Sequence, residues 1–307
     1  MGSQFGRLAI LGLGLIGGSL AKALKAQQAV TEVVGYGRRA ESLQAGIDLG
    51  VIDRFSLDLA EAINGADIVV IAAPTLVAES LLVDVLSLVP PTTIVTDVAS
   101  VKGNLARAAE QQFGAVPAHV VLAHPIAGSE KSGVAAARAD LFQAHRVILT
   151  PSESTDARAL QTIRAMWQLC GAEVSEMGID EHDAVLAATS HLPHVLAFAL
   201  VDVLAGDKAS RDIFRYAGGG FRDFTRIAAS DPHMWHDIAL ANRPALVSVL
   251  DQFTQHLAVM RDAIDRGDSA SIMAAFARAK DARDEFAEVL RQRQAGFPAA
   301  SETLGEE

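Results

Sequence analysis

The chain has 307 residues, 50% of them hydrophobic and 21% charged, which is the composition of a folded globular protein and favours two domains. Its net charge of −11 and the lack of any basic stripe exclude a nucleic-acid-binding surface. No segment has about 20 uninterrupted apolar residues, so we predict no membrane span. The single cysteine, Cys170, indicates a reducing compartment, so we expect a soluble cytoplasmic protein in which this thiol is buried.

The first half of the chain alternates apolar runs with segments of helical periodicity. Nearly continuous apolar runs suit parallel strands that are covered on both faces, and their alternation with helices predicts a doubly wound sheet. We therefore predict an α/β fold that begins with a Rossmann dinucleotide-binding domain over residues 5–177. Seven runs are predicted strands: RLAILGLG, EVVGYG, DIVVIAAP, TIVTDVAS, HVVLAHP, RVILTP and AEVSEM.

The second half has helical patterns only. EHDAVLAATSHLPHVLAFALVDVLAG, RPALVSVLDQFTQHLAVMRDAIDRG and SASIMAAFARAKDARDEFAEVLRQRQ each place apolar residues at helical spacing. They predict an all-helical domain over residues 178–295, followed by a disordered polar and acidic tail over residues 296–307. A domain of this size is too small to bury several apolar faces in one copy, so we expect a homodimer that forms through it.

A glycine motif directly follows the first predicted strand, in the segment GLGLIGGSLAKAL. Gly12 would make the tight turn, Gly14 would let the backbone approach a pyrophosphate, and Gly17 would let helix and strand pack closely. The motif also contains Leu15 and Ile16, and the N-terminus of the helix that it opens supplies free N–H groups and partial positive charge for phosphates. The motif predicts a dinucleotide site formed by these five residues.

The end of the second predicted strand indicates which nicotinamide dinucleotide binds. An NAD site usually has Asp or Glu there, which accepts hydrogen bonds from the ribose 2′-hydroxyl. This strand ends instead on Gly37, followed by Arg38, Arg39 and Ser42. Gly37 leaves room for a 2′-phosphate, and two guanidinium groups can pair with it, so we predict NADP, with NAD possible. The alternative is that two surface arginines simply begin a helix.

Three further predicted strands end on residues that burial alone does not explain: Ala73 and Pro74, then Ser100 with Lys102, then His124. Ligands bind at the carboxyl ends of the strands in an open α/β sheet, so these residues should open onto the nicotinamide crevice. His124 is therefore predicted at the reaction centre. The alternative is a core histidine whose hydrogen bonds are satisfied internally.

The helical half adds polar groups that suit an anionic substrate. His191 and His194 lie three residues apart, and Arg222 and Arg226 lie four apart on one predicted helical face. Arginine pairs bidentately with carboxylates, although arginines on a solvated helix face are the alternative. No cluster has a recognisable metal-ligand spacing, so no metal is predicted. Three other histidines are interpreted as ordinary surface or interface residues: His182, His233 and His236.

Five motifs in order, GLGLIGGSLAKAL, DVASVKG, HPIAGSEKSG, SHLPHVLAFALV and GGGFRDFTRIAASDPHMWHDI, closely resemble the prephenate/arogenate (cyclohexadienyl) dehydrogenase family of tyrosine biosynthesis. The resemblance covers about residues 5–295 and implies a Rossmann domain, an all-helical dimerisation domain and a homodimer. It also implies oxidative decarboxylation of prephenate to 4-hydroxyphenylpyruvate, or of arogenate to tyrosine.

The same resemblance implies roles for individual residues. His124 would be the general base that accepts a hydrogen bond from the substrate hydroxyl, with a pKa near 6.5. Ser100 would hold that hydroxyl or the imidazole, and Trp235 would belong to the dimer interface. The implied substrate-binding residues are His194, Arg226, His191, Ser129 and Glu130.

Two other classes of protein share parts of this pattern. A β-hydroxyacid dehydrogenase also joins a Rossmann domain to helices, and it has a catalytic lysine on the helix after a glycine motif. In this chain the segment FRDFTR follows Gly220 and contains no lysine. A non-enzymatic NADP-binding regulator would not need polar groups that converge from both domains.

Overall fold

The computed structural model describes residues 4–128, 131–206 and 213–296. The chain divides into two compact units, Met1–Val247 and Ser248–Glu307. The first unit contains the sheet, its covering helices and the first helices of the predicted helical domain. Of the predicted tail, only Gly296 falls within the described ranges.

An eight-stranded sheet forms the centre of the first unit, in the order β3-β2-β1-β4-β5-β6-β7-β8. Strands β1 to β6 are parallel, as the apolar runs predict. The strands are β1 Arg7–Leu11, β2 Glu32–Tyr36, β3 Arg54–Ser56, β4 Ile68–Ile71, β5 Ile94–Asp97, β6 Val120–Pro125, β7 Arg146–Thr150 and β8 Glu173–Glu176.

Two features of the sheet differ from the prediction. Strand β7 pairs antiparallel to β6, because the described residues between Pro125 and Arg146 form no α-helix that carries the chain back across the sheet. The chain therefore re-enters the sheet at the edge where it left, and β8 then pairs parallel to β7. The three-residue edge strand β3 was not predicted, because Arg54–Ser56 is too short to show an apolar run.

Helices cover both faces of the sheet. Leu8 and Ile10 of β1 pack into one buried cluster, whereas Ala9 and Leu11 pack into another, as alternating strand residues must. The helices are α1 Leu15–Ala26, α2 Ala40–Asp48, α3 Leu59–Ile63, α4 Thr75–Leu88, α5 Gly103–Phe113, α6 Ala157–Leu169, α7 Ile179–Leu186, α8 Leu192–Gly206, α9 Gly219–Thr225, α10 Pro232–Ala241, α11 Arg243–Asp265 and α12 Ser269–Gly296.

Helices α7 and α8 form one continuous helical run, joined by the π-helical turn Ala187–His191. By length and composition alone the run Ile179–Gly206 could cross a membrane, although the sequence predicts no membrane span. However, its Asp183 side chain accepts hydrogen bonds from the backbone of the sheet-containing unit, at Lys102 and Gly103. This contact is typical of a helix that packs within a folded protein.

The second unit contains the rest of α11 and helix α12. The two helices are joined at Gly267, whose φ of +65° favours glycine, and the Asp268 carboxylate caps α12 by accepting from the Ser271 N–H. Several large apolar side chains on these helices are exposed in the single chain: Leu257, Val259, Ile264, Met273, Phe276 and Phe286. Such a surface is typical of an interface between subunits.

Cys170 is buried, as the sequence predicts, next to Trp167 in the larger apolar cluster. Burial raises the pKa of this thiol to about 12, because the thiolate would lose its hydration. The residue is therefore a small core side chain rather than a nucleophile.

Candidate active site

The glycine motif forms a tight turn between β1 and α1. Gly12 has a φ of +106°, and a Cβ atom there would lie 2.4 Å from the Ala72 carbonyl oxygen. A Cβ on Gly17 would lie 2.5 Å from the Gly12 carbonyl oxygen. A Cβ on Gly14 would meet nothing within 4 Å, so the space in front of the helix is open where a phosphate would have to approach. The turn therefore fits a dinucleotide pyrophosphate, at the start of α1 where Leu15 is the first helical residue.

The end of β2 carries the residues predicted to select NADP. Arg38 and Arg39 are exposed directly before α2, Ser42 lies in its first turn, and neither arginine has an ion pair within the described ranges. A Cβ on Gly37 would make only ordinary contact with Leu43, at 3.6 Å. The packing of the protein therefore does not itself require glycine at this position, and the open space is available to a ligand.

The other predicted cofactor residues also lie at the carboxyl edge of the sheet. Ala73 and Pro74 follow β4, and Pro74 is the residue that precedes α4. Ser100 is half-buried in the connection between β5 and α5. These positions agree with a crevice at the strand ends, although Lys102 of the same connection is fully buried and does not open onto it.

His124 lies near the end of β6 with its imidazole buried, and it is held by a second histidine. Its Nδ1 atom is 2.9 Å from Nε2 of His182, and Nδ1 of His182 is 2.8 Å from the Asp183 carboxylate. The interpretation of His182 as a surface or interface residue is therefore wrong, since its side chain is 0% exposed. Within the described part of the chain, Ser100 makes no hydrogen bond to the His124 imidazole.

The Asp183 carboxylate is also held by backbone N–H groups. It accepts backbone N–H groups from Lys102 at 2.9 Å and from Gly103 at 2.8 Å, at the start of α5. Burial alone would raise the pKa of Asp183, but the hydrogen bonds from His182 and from the two N–H groups hold it below its usual value. The group is therefore a carboxylate that can only accept hydrogen bonds.

A buried ion pair lies beneath this arrangement. The Lys102 ammonium pairs with the Asp97 carboxylate and donates to the Ala123 carbonyl oxygen at 2.7 Å, directly before His124. Asp97 also accepts the Ala123 N–H at 3.1 Å. Burial lowers the pKa of Lys102, and the Asp97 charge opposes that shift. The pair ties the end of β5 to β6 and so fixes the backbone that carries His124.

The three residues Asp183, His182 and His124 fix the proton positions on both rings. Because the carboxylate only accepts, Nδ1 of His182 donates to it. With one proton on each ring, Nε2 of His182 then has a free lone pair and accepts from Nδ1–H of His124. The remaining nitrogen of His124, Nε2, is therefore unprotonated and able to accept a proton.

The pKa of His124 lies well below its ordinary value of 6.5. Burial is the main cause, and the neighbouring His182, Lys102 and His191 lower it further. The expectation of a pKa near 6.5 is therefore wrong for the free protein. His124 is a neutral base throughout the physiological pH range.

A second cluster of rings forms where α8 and α10 meet. The rings of His194 and Trp235 stack with centroids 3.5 Å apart, and His191 contacts the same indole edge-on at 6.1 Å. Trp235 thus lies against two predicted substrate-binding residues, where the sequence had favoured the dimer interface. His233 and His236 are exposed, as predicted for surface histidines.

The two arginines predicted on one helical face are separated by a change in helix type. Arg222 lies in α9, is 80% exposed at its side chain and pairs with Asp223. Arg226 begins the 3₁₀-helix Arg226–Ala229, and its charge contributes to lowering the pKa of His194, mainly a burial effect. Arg226 is therefore electrostatically coupled to the ring cluster, whereas no such coupling is seen for Arg222. Ser129 and Glu130 lie outside the described residues.

The contacts of several residues in this arrangement were not predicted from the sequence. Asp97 and Lys102 lie five apart within the quoted DVASVKG segment, a spacing that spans a strand end and could have suggested an ion pair. His182 and Asp183 are adjacent in the segment EHDAV, next to a long apolar helix, and adjacent polar residues there could have suggested burial.

The chain matches two family models along most of its length. Residues 20–176 match the nucleotide-binding domain of prephenate dehydrogenase, and residues 179–278 match the dimerization domain of prephenate dehydrogenase. The first match covers the sheet from β2 to β8, which includes His124, and the second covers the helices that carry the ring cluster.

Individual relatives agree with the family models. The cyclohexadienyl dehydrogenase of Zymomonas mobilis is 38% identical over 282 residues, which cover 91% of this chain and 95% of that protein. The crystal structure of Aquifex aeolicus prephenate dehydrogenase with hydroxyphenyl propionate and NAD+ is similar with a TM-score of 0.85 at 35% identity, covering 91% and 98% of the two chains. Synechocystis arogenate dehydrogenase has a TM-score of 0.78 at 28% identity, with coverage of 91% and 99%.

These matches decide between the classes that the sequence left open. They agree with the five motifs and not with a β-hydroxyacid dehydrogenase. The chain therefore belongs to the prephenate dehydrogenase family, as an oxidoreductase with a nucleotide-binding sheet domain and a helical domain.

Proposed function

We propose that this chain catalyses the NADP-dependent oxidative decarboxylation of prephenate to 4-hydroxyphenylpyruvate or of arogenate to tyrosine. The observation that carries the proposal is the hydrogen-bonded series Asp183–His182–His124 at the carboxyl edge of the sheet. With both rings neutral, this series leaves Nε2 of His124 able to accept a proton. The glycine turn for the cofactor lies at that edge too. A nicotinamide dinucleotide bound there supplies the acceptor for a hydride from the substrate.

His124 is the general base of the proposed reaction. Its Nε2 accepts the proton of the substrate hydroxyl as the carbon that bears this hydroxyl is oxidised. The positive charge that develops on the ring is stabilised through Nδ1 by His182 and, beyond it, by the Asp183 carboxylate. The ring of the substrate then loses carbon dioxide and becomes aromatic, which drives the reaction forward. Ser100 assists by holding the hydroxyl.

The helical residues bind the anionic part of the substrate. The guanidinium group of Arg226 binds carboxylate oxygens, and His194 does so through Nε2–H when its ring is charged, with His191 beside them. The support for these roles is that His194 stacks on Trp235 and that the Arg226 charge acts on its pKa. Ser129 and Glu130 line the mouth of the site, a role that rests on the family resemblance.

The preference for NADP rests on the end of β2. The open space at Gly37 and the guanidinium groups of Arg38 and Arg39 favour a 2′-phosphate there, with Ser42 as a further donor. The remaining cofactor contacts are proposed for the glycine turn and the strand-end residues Ala73, Pro74 and Ser100. The Aquifex relative was crystallised with NAD+, so NAD use is the alternative to be measured.

We further propose a cytoplasmic homodimer with functional domains over residues 5–177 and 178–295. The support is the match of residues 179–278 to a dimerization domain, together with the exposed apolar side chains of α11 and α12.

Steady-state assays with prephenate and with arogenate, each with NADP and with NAD, test this function. We expect turnover with at least one of the two substrates and a higher kcat/KM with NADP. No turnover of either substrate with either cofactor would contradict the proposal, while activity with NAD alone would contradict only the cofactor preference.

A further inference from the structure

Asn242 is a buried amide that contacts both Asp183 and His191, and so lies between the two histidine clusters. It follows the last residue of α10 and is 3% exposed. Its Nδ2 atom donates to the Asp183 backbone carbonyl oxygen at 2.8 Å and lies 3.1 Å from Nδ1 of His191. A buried amide with two such contacts is held in one orientation.

The Asp183 carbonyl determines which end of the amide faces it. A carbonyl oxygen can only accept, so the contact requires the NH₂ group of Asn242 rather than its oxygen. One N–H of this group is used there, and the other points to Nδ1 of His191. That nitrogen must therefore accept, which leaves the proton of the neutral His191 ring on Nε2.

The neighbouring histidine has the opposite arrangement. Nδ1 of His194 donates to the Ser190 carbonyl oxygen at 2.9 Å, so Nε2 of a neutral His194 has a lone pair and no proton. His194 can donate through Nε2 only when its ring is charged, whereas His191 donates while neutral. The two histidines are thus chemically different partners for an anion, although they lie side by side against Trp235.

We propose that Asn242 is a positioning residue that makes His191 a neutral Nε2–H donor for a substrate carboxylate or carbonyl oxygen. The proposal rests on the substrate site proposed above. Asp183 links the two clusters, because its carboxylate fixes the protons of His182 and His124 while its backbone carbonyl orients Asn242. One residue of α7 therefore gives His124 a proton-accepting nitrogen and His191 a proton-donating one.

The ionisation state of His191 agrees with this geometry. Burial lowers the pKa of His191 to about 4; Asp183 opposes the shift, and His182 and His194 add to it. Protonation of His191 at Nδ1 would also place two N–H donors, that of the ring and that of Asn242, in contact with each other, which is unfavourable. His191 therefore stays a neutral donor down to about pH 4, and its donation does not depend on pH in the neutral range.

The direct test is the position of the proton on His191 in the full-length protein without substrate. Two-bond ¹H–¹⁵N correlation spectra of protein labelled with ¹⁵N-histidine distinguish Nδ1–H from Nε2–H rings, and a His191→Gln variant assigns the signals. We expect Nε2–H in the wild type and Nδ1–H in Asn242→Asp, because the carboxylate of that variant can only accept. A wild-type Nδ1–H ring, or the same tautomer in Asn242→Asp as in the wild type, would overturn the proposal.

Kinetics test whether the tautomer serves substrate binding. In Asn242→Asp and in Asn242→Ala we expect KM for the substrate to rise roughly 10- to 100-fold with a smaller change in kcat, the scale of a lost hydrogen bond to a charged group. KM in Asn242→Asp should rise further as the pH increases, because His191 can then donate through Nε2 only in its charged form. Unchanged KM in both variants would contradict the role in binding.

Thr93→Val is the matched control, since it also removes a buried hydrogen bond to a backbone carbonyl, that of Ala66, at the amino end of β5. It should lower stability without changing KM or the His191 tautomer. If the wild type turns over neither prephenate nor arogenate, the proposed function fails, while the spectra still decide the tautomer.

Discussion

The three histidines of the site, His124, His191 and His194, share a side chain but differ in the neighbour that contacts Nδ1. His124 donates from Nδ1 to another imidazole, His191 accepts at Nδ1 from an amide, and His194 donates from Nδ1 to a carbonyl. The neighbour determines whether Nε2 accepts or donates, so the same residue type performs different chemistry. The sequence indicates that these histidines share a site, but tautomers depend on contacts between residues far apart in the chain.

Arg226 is the residue whose charge we expect to bind the substrate. Replacement by Ala should raise KM roughly 10- to 100-fold with little change in kcat, because a charge-assisted hydrogen bond to a carboxylate is lost. Arg222→Ala is the matched control, since that side chain is 80% exposed and pairs with Asp223. Steady-state kinetics of both variants check the expectation, and equal effects would show that only the overall charge matters.

The choice of cofactor is a second prediction about single residues. Gly37→Asp combined with Arg38→Ser should shift the ratio of kcat/KM values toward NAD by roughly 10-fold or more, because a carboxylate repels a 2′-phosphate and accepts from a 2′-hydroxyl. Gly37→Ala should change the ratio little, as its methyl group would make only ordinary contact with Leu43. An unchanged ratio in the double variant would mean that the 2′-phosphate is bound elsewhere.

The connection between β5 and α5 organises the site as a structural element. Its backbone N–H groups at Lys102 and Gly103 hold Asp183 of α7, and its Lys102 side chain holds the backbone next to His124. A short loop thus fixes groups from a strand and from a helix of the predicted helical domain. This explains the close packing of α7 with α5.

Gly103 is the position where this element tolerates no side chain. A Cβ there would lie 2.7 Å from the Asp183 carboxylate oxygen, so Gly103→Ala should displace Asp183 and lower kcat roughly 10-fold or more while cofactor affinity is retained. Gly178→Ala at the start of α7 is the control, because its methyl group would find no atom closer than 3.9 Å. Wild-type kcat in Gly103→Ala, measured at saturating substrate, would show that Asp183 need not be held in place.

The parallel strands and the glycine turn could be predicted because local patterns determine them. Apolar runs of strand length mark β1, β2 and β4 to β6, and the glycine spacing marks the turn into α1. The direction of β7 could not be predicted in this way, because it depends on the absence of a crossover helix rather than on a property of the strand itself. The burial of His182 could not be predicted either, since its partner His124 lies 58 residues away in the chain.

At the scale of the whole molecule, neutral buried histidines make the folded state sensitive to acid. The pKa values of His124, His191 and His194 are lowered in the folded protein, in each case chiefly by burial, so the unfolded chain binds more protons as the pH falls below 6.5. Their contribution to stability is therefore present above pH 6.5 and is lost between that value and the folded-state pKa, about 4 for His191.

We accordingly expect the free energy of unfolding to fall from pH 6.5 to pH 5, with each such histidine contributing a slope of at most about 1.4 kcal/mol per pH unit. Denaturant unfolding at each pH measures this free energy. The protein concentration is kept fixed, since the stability of a dimer depends on concentration. A His191→Gln variant should show a shallower slope, whereas a variant of exposed His233 should not. A free energy that does not change over this range would contradict the burial of neutral histidines.

His124 is the base that takes the hydroxyl proton in the proposed reaction, and every other role in the site depends on it. The most direct test compares the turnover of a His124→Asn variant with that of a His119→Asn variant. The second is the control, because His119 directly precedes the same strand at its amino end. Turnover with the preferred substrate and cofactor, and cofactor affinity by fluorescence titration, are measured for both. We predict a loss of roughly 100-fold or more in kcat for His124→Asn, with cofactor affinity unchanged and His119→Asn near the wild type. Near wild-type turnover in His124→Asn would contradict the account.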